Sequence, residues 1–224
     1  VFLALWGTWE LSDSRSFQLF GRLVDRVPTS DRVVALTFDD GYRNQLEAAE
    51  ILEESGSSAT FFVIPDRIDA AAVEGGEAAR RWPSMTWPDV RGLVERGFEV
   101  GSHSSSHADL SRLRSLELER EIVASRRHIE EKIGSPVTSF SFPYGRFSRL
   151  SREVAGNAGY FAICTSRFGL NRVPLDYAFL RRTEVDGRDT AVDFRAKVWG
   201  KYDWLGVLHD VAHPVRGALY SARA

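Results

Sequence analysis

Short apolar runs alternate with longer stretches of helical spacing along this chain, and this order limits the fold more than any other feature. Residues 33–38 form an apolar, β-branched run typical of a buried strand. Residues 46–52 then carry apolar side chains at helical spacing, and residues 58–64 form the next apolar run. Because parallel strands need a crossover between them, this β-α-β order predicts a parallel sheet covered by helices.

The alternation continues through most of the chain. Residues 115–132 carry apolar side chains at helical spacing with charged residues between them, which predicts a helix with a solvated face that Gly134 and Pro136 end. Residues 70–81 are predicted to be an exposed spacer loop. At least six strands are expected, the later ones near residues 97–102, 137–142, 159–164 and 178–185.

The composition is that of a single globular domain. The chain has 224 residues, of which 43% are hydrophobic and 12% aromatic, enough to bury a substantial core. With 29 basic and 31 acidic residues and no basic cluster, the sequence argues against a nucleic-acid partner. Residues 1–6 are apolar but too few to span a bilayer, so no transmembrane segment is predicted. The single cysteine, Cys164, is predicted to be a buried, inert thiol.

Two carboxylates follow the first buried strand directly. Asp39 and Asp40 come after Phe38 and before Gly41. A carboxylate pair at the end of a buried strand is unfavourable unless a cation or a reaction requires it. The alternative is a solvated Asp-Asp-Gly turn, since Asp-Gly is a common turn signal.

Two of the five histidines follow a later strand. His103 comes directly after residues 97–102, and His107 lies four residues on, so a helical turn would bring both imidazoles to one ion. Asp40 is the natural third ligand. Two histidines and one carboxylate leave coordination positions open, which is typical of a hydrolytic metal site, and Asp39 is then the candidate general base.

A third cluster follows another apolar strand. Pro143, Tyr144 and Gly145 come after Phe142, which predicts a tight turn that holds a backbone N–H and an aromatic ring at the same rim. The alternative is an ordinary Pro-Tyr-Gly turn without a function.

These three clusters, in this order, resemble the first three motifs of the polysaccharide deacetylase family, the NodB-homology domains of carbohydrate esterase family 4. The similarity runs from about residue 32 to residue 194. It implies a distorted (β/α)7 barrel, similar to a TIM barrel. Residues 31–195 would form the catalytic domain, residues 1–30 an N-terminal extension packing on the barrel, and residues 196–224 a C-terminal helical segment.

The resemblance also implies an activity, the hydrolysis of N-acetyl groups on a glycan or polysaccharide. Asp39 would be the catalytic base, while Asp40, His103 and His107 would hold a divalent metal. Zinc is the usual metal in the family, with Co²⁺, Ni²⁺ and Mn²⁺ as alternatives. Tyr144 would stabilise the oxyanion through its backbone N–H. Pro143, Tyr144 and Arg182 would contact substrate.

Three positions depart from the family pattern. Ser141 stands where many members carry an arginine that orients the base; Arg182 could supply that guanidinium, or could be an exposed strand-edge residue. Residues 41–44 and the stretches near residues 169–171 and 180–185 resemble the branch associated with bacterial exopolysaccharide loci. His209 loosely matches the family's general acid, but residues 194–211 fit one amphipathic helix equally well.

Two other functions remain open at this point. The chain could be a carbohydrate-binding barrel that has lost turnover, or an amidohydrolase for a small non-sugar amide. A glycan substrate favours an extracytoplasmic or cell-envelope location, and a cytoplasmic location stays open.

Overall fold

Seven parallel strands form one sheet at the centre of the part of the chain that the structure describes. The computed structural model describes residues 2–7, 33–69, 82–171 and 175–201. The strand order across the sheet is β6-β5-β4-β3-β2-β1-β7. The strands are β1 (Phe2–Gly7), β2 (Val33–Phe38), β3 (Ala59–Val63), β4 (Glu99–Ser102), β5 (Ser139–Ser141), β6 (Ala162–Cys164) and β7 (Arg182–Val185).

The two ends of this sheet are brought together by the segment that leads into β7. Cys164 on β6 forms a parallel bridge with Leu180, two residues before β7 begins. The backbone N–H groups of Thr165 and Leu180 extend this contact by donating to Leu180 O and Ile163 O, at 2.9 and 2.8 Å. The sheet therefore curls into a ring, and the predicted distorted barrel is confirmed.

Helices lie between most successive strands, as the β-α-β order requires. They are α1 (Gln45–Glu54), α2 (Trp87–Glu95), α3 (Ser115–Leu118), α4 (Ser125–Ile133), α5 (Arg149–Asn157) and α6 (Ala191–Val198). Thr86 caps α2 through a reciprocal capping box with Asp89, and Pro88 occupies the first turn. These local signals explain why the helix begins directly after Thr86.

The predicted helix over residues 115–132 is present but is not uniform. Its middle, Glu119–Ala124, is a π-helical segment that joins α3 to α4. The helix begins after Arg114 and ends at Gly134, whose φ of 68° is the left-handed conformation expected of a glycine stop. The sequence therefore predicted the helix but not the π-helical segment inside it.

The first strand belongs to the sheet itself. The sequence predicted residues 1–30 to be an extension packing on the barrel. Of these the structure describes residues 2–7, and Phe2–Gly7 lies within the sheet between β2 and β7 and pairs with both. Parallel pairing opposes Phe2 to Val33 and Ala4 to Arg182. This strand therefore sets the separation between β2, which leads to the acidic cluster, and β7.

Buried aromatic side chains fill the space between the strands and their helices. Phe38 stacks on Phe61 at 5.0 Å, and Phe61 meets Phe98 edge-on at 5.5 Å. Gly101 is required by close packing, because a Cβ there would lie 2.5 Å from the ring of Phe62. This packing fixes the ends of β2, β3 and β4 relative to one another.

Some predictions concern residues outside the part of the chain that the structure describes. The spacer at residues 70–81 and the candidate acid His209 are among them, as is most of the segment 196–224. Within the described ranges, no helix combines the length and apolar character needed to cross a bilayer.

Candidate metal centre and catalytic base

The three sequence clusters meet at the carboxyl end of the barrel. Asp39 and Asp40 follow β2, His103 follows β4, and Tyr144 lies in the turn after β5. Because all strands are parallel, the residues that follow them emerge at one rim, which is where such barrels place their chemistry.

Asp40, His103 and His107 form the candidate metal centre. One ligand atom from each lies within 4.8 Å of the others. Oδ1 of Asp40 is 3.2 Å from Nε2 of His107 and 3.7 Å from Nε2 of His103. The sequence predicted these three residues as ligands, and the structure brings them together.

The donor set fits a divalent cation. Oδ1 of Asp40 is buried and accepts no hydrogen bond from the described residues, which is an unfavourable state for a carboxylate without a cation. Burial lowers the pKa of His107 to about 3, with His103 and Arg67 adding to the shift, so this imidazole is neutral at neutral pH. Neutral imidazole is the form that binds metals. Two nitrogens and one oxygen suit zinc and related ions.

His103 is oriented by a backbone carbonyl. Its Nδ1 donates to Ser141 O at 2.8 Å, which leaves Nε2 facing the centre. A hydrogen bond of this kind on the second ring nitrogen fixes the tautomer and the ring direction of a ligating histidine.

His107 reaches the centre by a different backbone path from the predicted one. The sequence suggested a helical turn between the two histidines, but residues 103–107 form a loop in which Ser104 and His107 have φ values of 64° and 67°. The N–H of His107 donates to Ser104 Oγ at 3.0 Å. The left-handed backbone at Ser104 and His107, rather than a helical turn, returns the imidazole of His107 to the candidate metal centre.

Asp39 is held by Arg182 from β7. The guanidinium donates to both carboxylate oxygens at 2.7 Å, in a bidentate pair. Its remaining N–H groups bond Thr37 Oγ1 at 3.1 Å, Ser141 Oγ at 2.8 Å and Thr165 O at 3.0 Å. Arg182 thus supplies the guanidinium missing at Ser141, and the exposed strand-edge alternative is wrong, because the residue is only 1% exposed.

The same contacts change the expected role of Arg182. The resemblance placed it among substrate-contacting residues. All five of its N–H groups are bonded to protein oxygens in a fully buried position, so the side chain faces Asp39 rather than the open rim.

This environment keeps Asp39 ionised. Burial alone would raise the pKa of its carboxyl, but the Arg182 charge, then His103 and hydrogen bonds from Arg182 and Ser141, outweigh burial and lower the pKa below its ordinary value. Asp40 shows the opposite balance, since burial and the charge of Asp39 raise its pKa against the pull of His103. Adjacent carboxyls therefore have different surroundings, since Asp39 is paired with an arginine and Asp40 faces the two imidazoles.

Tyr144 lies over the centre from the third cluster. Its ring meets His107 edge-on at 4.5 Å and remains 55% exposed at the rim. The backbone of Tyr144 has a φ of 57° within the turn Pro143–Gly145. Strained backbone of this kind is common at functional sites.

Sequence reasoning assigned no role to three residues around Asp39. Thr37 and Thr165 share the Arg182 guanidinium, and Gln45 donates to Asp39 O at 2.6 Å. Thr37 lies beside the acidic pair and Gln45 at the start of the next helix, so proximity in sequence was a signal for these two. No local pattern points to Thr165.

Comparison with known proteins settles the family. Residues 26–163 match the family model described as polysaccharide deacetylase. This chain belongs to the polysaccharide deacetylase family. A curated member, the chitooligosaccharide deacetylase of Sinorhizobium fredii, is 32% identical over 147 residues, covering 63% of this chain and 60% of that protein.

A second relative of the same family is also similar over part of its length. The peptidoglycan-N-acetylglucosamine deacetylase of Bacillus cereus is 27% identical over 150 residues, covering 65% of this chain and 62% of its own. This family member thus spans less than two thirds of either relative.

Solved structures share the fold of this chain. IcaB from Ammonifex degensii superposes with a TM-score of 0.72 at 20% identity, over 88% of this chain and 96% of that one. The Streptococcus pyogenes deacetylase PplD, solved with acetate, gives a TM-score of 0.69 at 18% identity over the same shares. At these identities the likeness concerns the barrel alone.

Proposed function

We propose that this family member is a metal-dependent hydrolase that removes N-acetyl groups from a glycan or polysaccharide. The observation that carries the proposal is the placement of an ionised, arginine-held carboxylate beside an open Asp-His-His ligand set. Oδ2 of Asp39 lies 3.8 Å from Nε2 of His103. The names of the relatives support an acetylated amino sugar as substrate.

Zinc is our proposed metal, held by Asp40, His103 and His107. Co²⁺, Ni²⁺ and Mn²⁺ are alternatives with the same donors. A divalent cation bound there would polarise the acetamide carbonyl and lower the pKa of a water molecule.

Asp39 is the proposed base. Its pKa is lowered, so the carboxylate is ionised and ready to accept a proton from the attacking water near neutral pH. Arg182 holds both oxygens in one orientation and leaves Oδ2 close to the ligand cluster. The network therefore supports proton transfer without movement of the base.

Tyr144 is proposed to serve both the oxyanion and the sugar. A backbone N–H in the turn Pro143–Gly145 is suited to stabilise negative charge that develops on the carbonyl oxygen. Its exposed ring, together with Pro143, offers an apolar surface for a sugar face.

The test is release of acetate from N-acetylglucosamine oligomers, with and without a chelator. We expect chelator-sensitive release that is restored by Zn²⁺. Asp39→Asn should reduce kcat by about 10²–10⁴-fold, because a general base contributes that much, while bound metal stays the same.

The alternatives predict different outcomes. A binding barrel without turnover would retain glycan binding and release no acetate from any glycan. A small-molecule amidohydrolase would release acetate from N-acetylated monomers or simple amides and leave oligomers untouched. Acetate release unaffected by a chelator would contradict the proposal.

A further inference from the structure

The π-helical segment Glu119–Ala124 contacts the loop that carries the two metal-ligating histidines. Arg120 O accepts a hydrogen bond from Ser105 Oγ at 2.9 Å, and Glu121 O accepts one from the N–H of Ser105 at 3.0 Å. The next carbonyl, Ile122 O, accepts the hydroxyl of Tyr160 at 2.9 Å. Three successive carbonyls of one helix thus accept bonds from outside it. Such acceptors are characteristic of interruptions in the regular α-helical hydrogen-bond ladder.

The side chain of Glu121 completes this contact. Its Oε2 accepts the backbone N–H of Ser106 at 3.0 Å, and its Oε1 accepts the Ser106 hydroxyl at 2.6 Å. Hydrogen bonds to an ionised acceptor are stronger than neutral ones. Glu121 therefore holds the residue directly before the ligand His107 at both its backbone and its side chain.

His107 depends on this loop for its orientation more than His103 does. His103 has its Nδ1 fixed on Ser141 O, whereas Nδ1 of His107 is buried without a hydrogen-bond partner among the described residues. The left-handed φ of 67° at His107 is an unfavourable conformation for a histidine and persists only if its surroundings impose it. Apart from ring contacts with His103 and Tyr144, the backbone of the loop determines where this imidazole points.

We propose that Glu121 is a positioning residue for the metal centre, acting through Ser106 to hold His107 in its ligating conformation. The inference rests on the proposed metal-dependent function and extends it to a helix on the outside of the barrel. Glu121 differs in this from Glu119 and Arg120, which precede it in the same segment and are exposed.

The test measures Co²⁺ binding to the metal-free protein. Glu121→Ala is expected to weaken Co²⁺ affinity about tenfold, the lower end of the effect of removing outer hydrogen bonds from a metal site. At saturating Co²⁺ its visible absorption bands should also differ from those of the wild type, because the bands report ligand geometry. General destabilisation of the fold would leave the bands of the saturated protein unchanged.

Matched variants separate the Glu121 contact from other effects. Glu121→Gln keeps an oxygen acceptor for the N–H of Ser106 and should recover most of the affinity. Ser106→Ala removes only the hydroxyl contact and should weaken binding less than Glu121→Ala. Glu119→Ala should bind as the wild type, since Glu119 is exposed in the same segment and makes no side-chain hydrogen bond to a described residue.

Each outcome decides between the two proposals. Wild-type affinity and absorption bands in Glu121→Ala would overturn the positioning role while leaving the metal centre in place. A wild-type protein that binds no Co²⁺ or Zn²⁺ would overturn the metal centre itself, and the positioning role with it. If Glu121→Ala does not fold, Ser106→Ala carries the test, and wild-type binding by that variant overturns the inference.

Discussion

At the residue scale, the Asp39–Arg182 pair joins side chains that are 143 positions apart in the sequence. Both are buried, and the pair also includes Ser141, whose Oγ accepts from Arg182 and donates to Oδ2 of Asp39 at 3.3 Å. The small side chain at position 141 therefore lies next to the guanidinium of Arg182, which belongs to β7. Ser141 additionally orients His103 through its carbonyl, so one residue contacts both the proposed base and a proposed ligand.

We predict that Arg182→Met shifts the pH dependence of kcat/KM. Arg182 favours the ionised form of Asp39, so its removal raises the pKa of the base, and the acid limb of the profile should move to higher pH. Stability should fall by about 3–5 kcal/mol, because a buried carboxylate loses its partner. Rate–pH profiles and denaturant unfolding measure the two effects.

Two arginine variants provide the controls for this prediction. Arg182→Lys keeps the positive charge but not the bidentate geometry, so it should shift the acid limb less than Arg182→Met does. Arg188→Met removes an arginine with an 82% exposed side chain and should leave the profile unchanged. An acid limb that stays in place in Arg182→Met would contradict the assignment of Asp39 and Arg182.

At the scale of elements, short turns after the strands position the site. Residues with left-handed backbone occur in all three clusters: Asp40 and Gly41 after β2, Ser104 and His107 after β4, and Tyr144 and Gly145 after β5. Each turn changes the direction of the chain directly after its strand, so the candidate site residues stay at the rim of the barrel. Gly41 and Gly145 indicated the turns after β2 and β5 in the sequence. Nothing in the sequence predicted the left-handed backbone of Ser104 and His107.

We predict that Gly145→Ala impairs activity far more than a matched glycine substitution elsewhere. Gly145 has a φ of 62°, and a Cβ there would lie 2.4 Å from Ser166 Cβ, so the turn that carries Tyr144 must move. Gly56, with a φ of 66° and open space around its Cβ position, is the control. Backbone strain should lower the stability of both variants by about 1 kcal/mol, and the contact with Ser166 lowers that of Gly145→Ala further.

The comparison of kcat/KM for the two variants isolates the effect of the turn. Gly145→Ala should lose activity beyond its stability change, and Gly56→Ala should retain wild-type activity at temperatures where it is folded. Equal activity in the two variants would show that the position of the Pro143–Gly145 turn does not matter for the reaction.

At the scale of the whole molecule, the order of the strands brings Asp39 and Arg182 together. β1 lies between β2 and β7, and the parallel register places Ala4 opposite both Ala35 and Arg182. The contact between Asp39 and Arg182 thus depends on β1, a strand that precedes the family match at residue 26. The bridge from Cys164 to Leu180 then fixes β7 from its other side.

We predict that metal binding stabilises the whole barrel. A ligand that binds only the folded state adds about 2.7 kcal/mol at a free concentration of 100 times Kd, which for a chain of this size raises Tm by roughly 5–10 °C. Thermal unfolding of the metal-free protein with and without Zn²⁺ measures the shift.

Ligand variants test whether the shift comes from the proposed centre. His103→Gln and Asp40→Asn should each reduce the Zn²⁺-dependent rise in Tm. Asp69→Asn replaces an exposed carboxylate near the same rim and should keep the full shift. A shift that persists in both ligand variants would place the bound metal elsewhere.

The sequence by itself determined the parallel β/α architecture and the members of the candidate metal site. Asp39, Asp40 and His103 follow strands directly, and strands of one parallel sheet end at one edge, so local pattern was enough to predict that these residues meet. Tyr144 was predictable for the same reason. The end of the helix at Gly134 was predictable as well, because a glycine stop is a local signal.

Only the tertiary structure decided which residues support that site. The contacts of Arg182 with Asp39 and of Glu121 with Ser106 join separate elements. In the sequence, this arginine and this glutamate do not differ from others that have no such role. The place of Phe2–Gly7 within the sheet depends on pairing with β7, far along the chain. The spacing of residues in the sequence indicates which face of a helix or strand a side chain occupies. The roles of Arg182 and Glu121 depend instead on which other element packs against that face, and this is decided only in the tertiary structure.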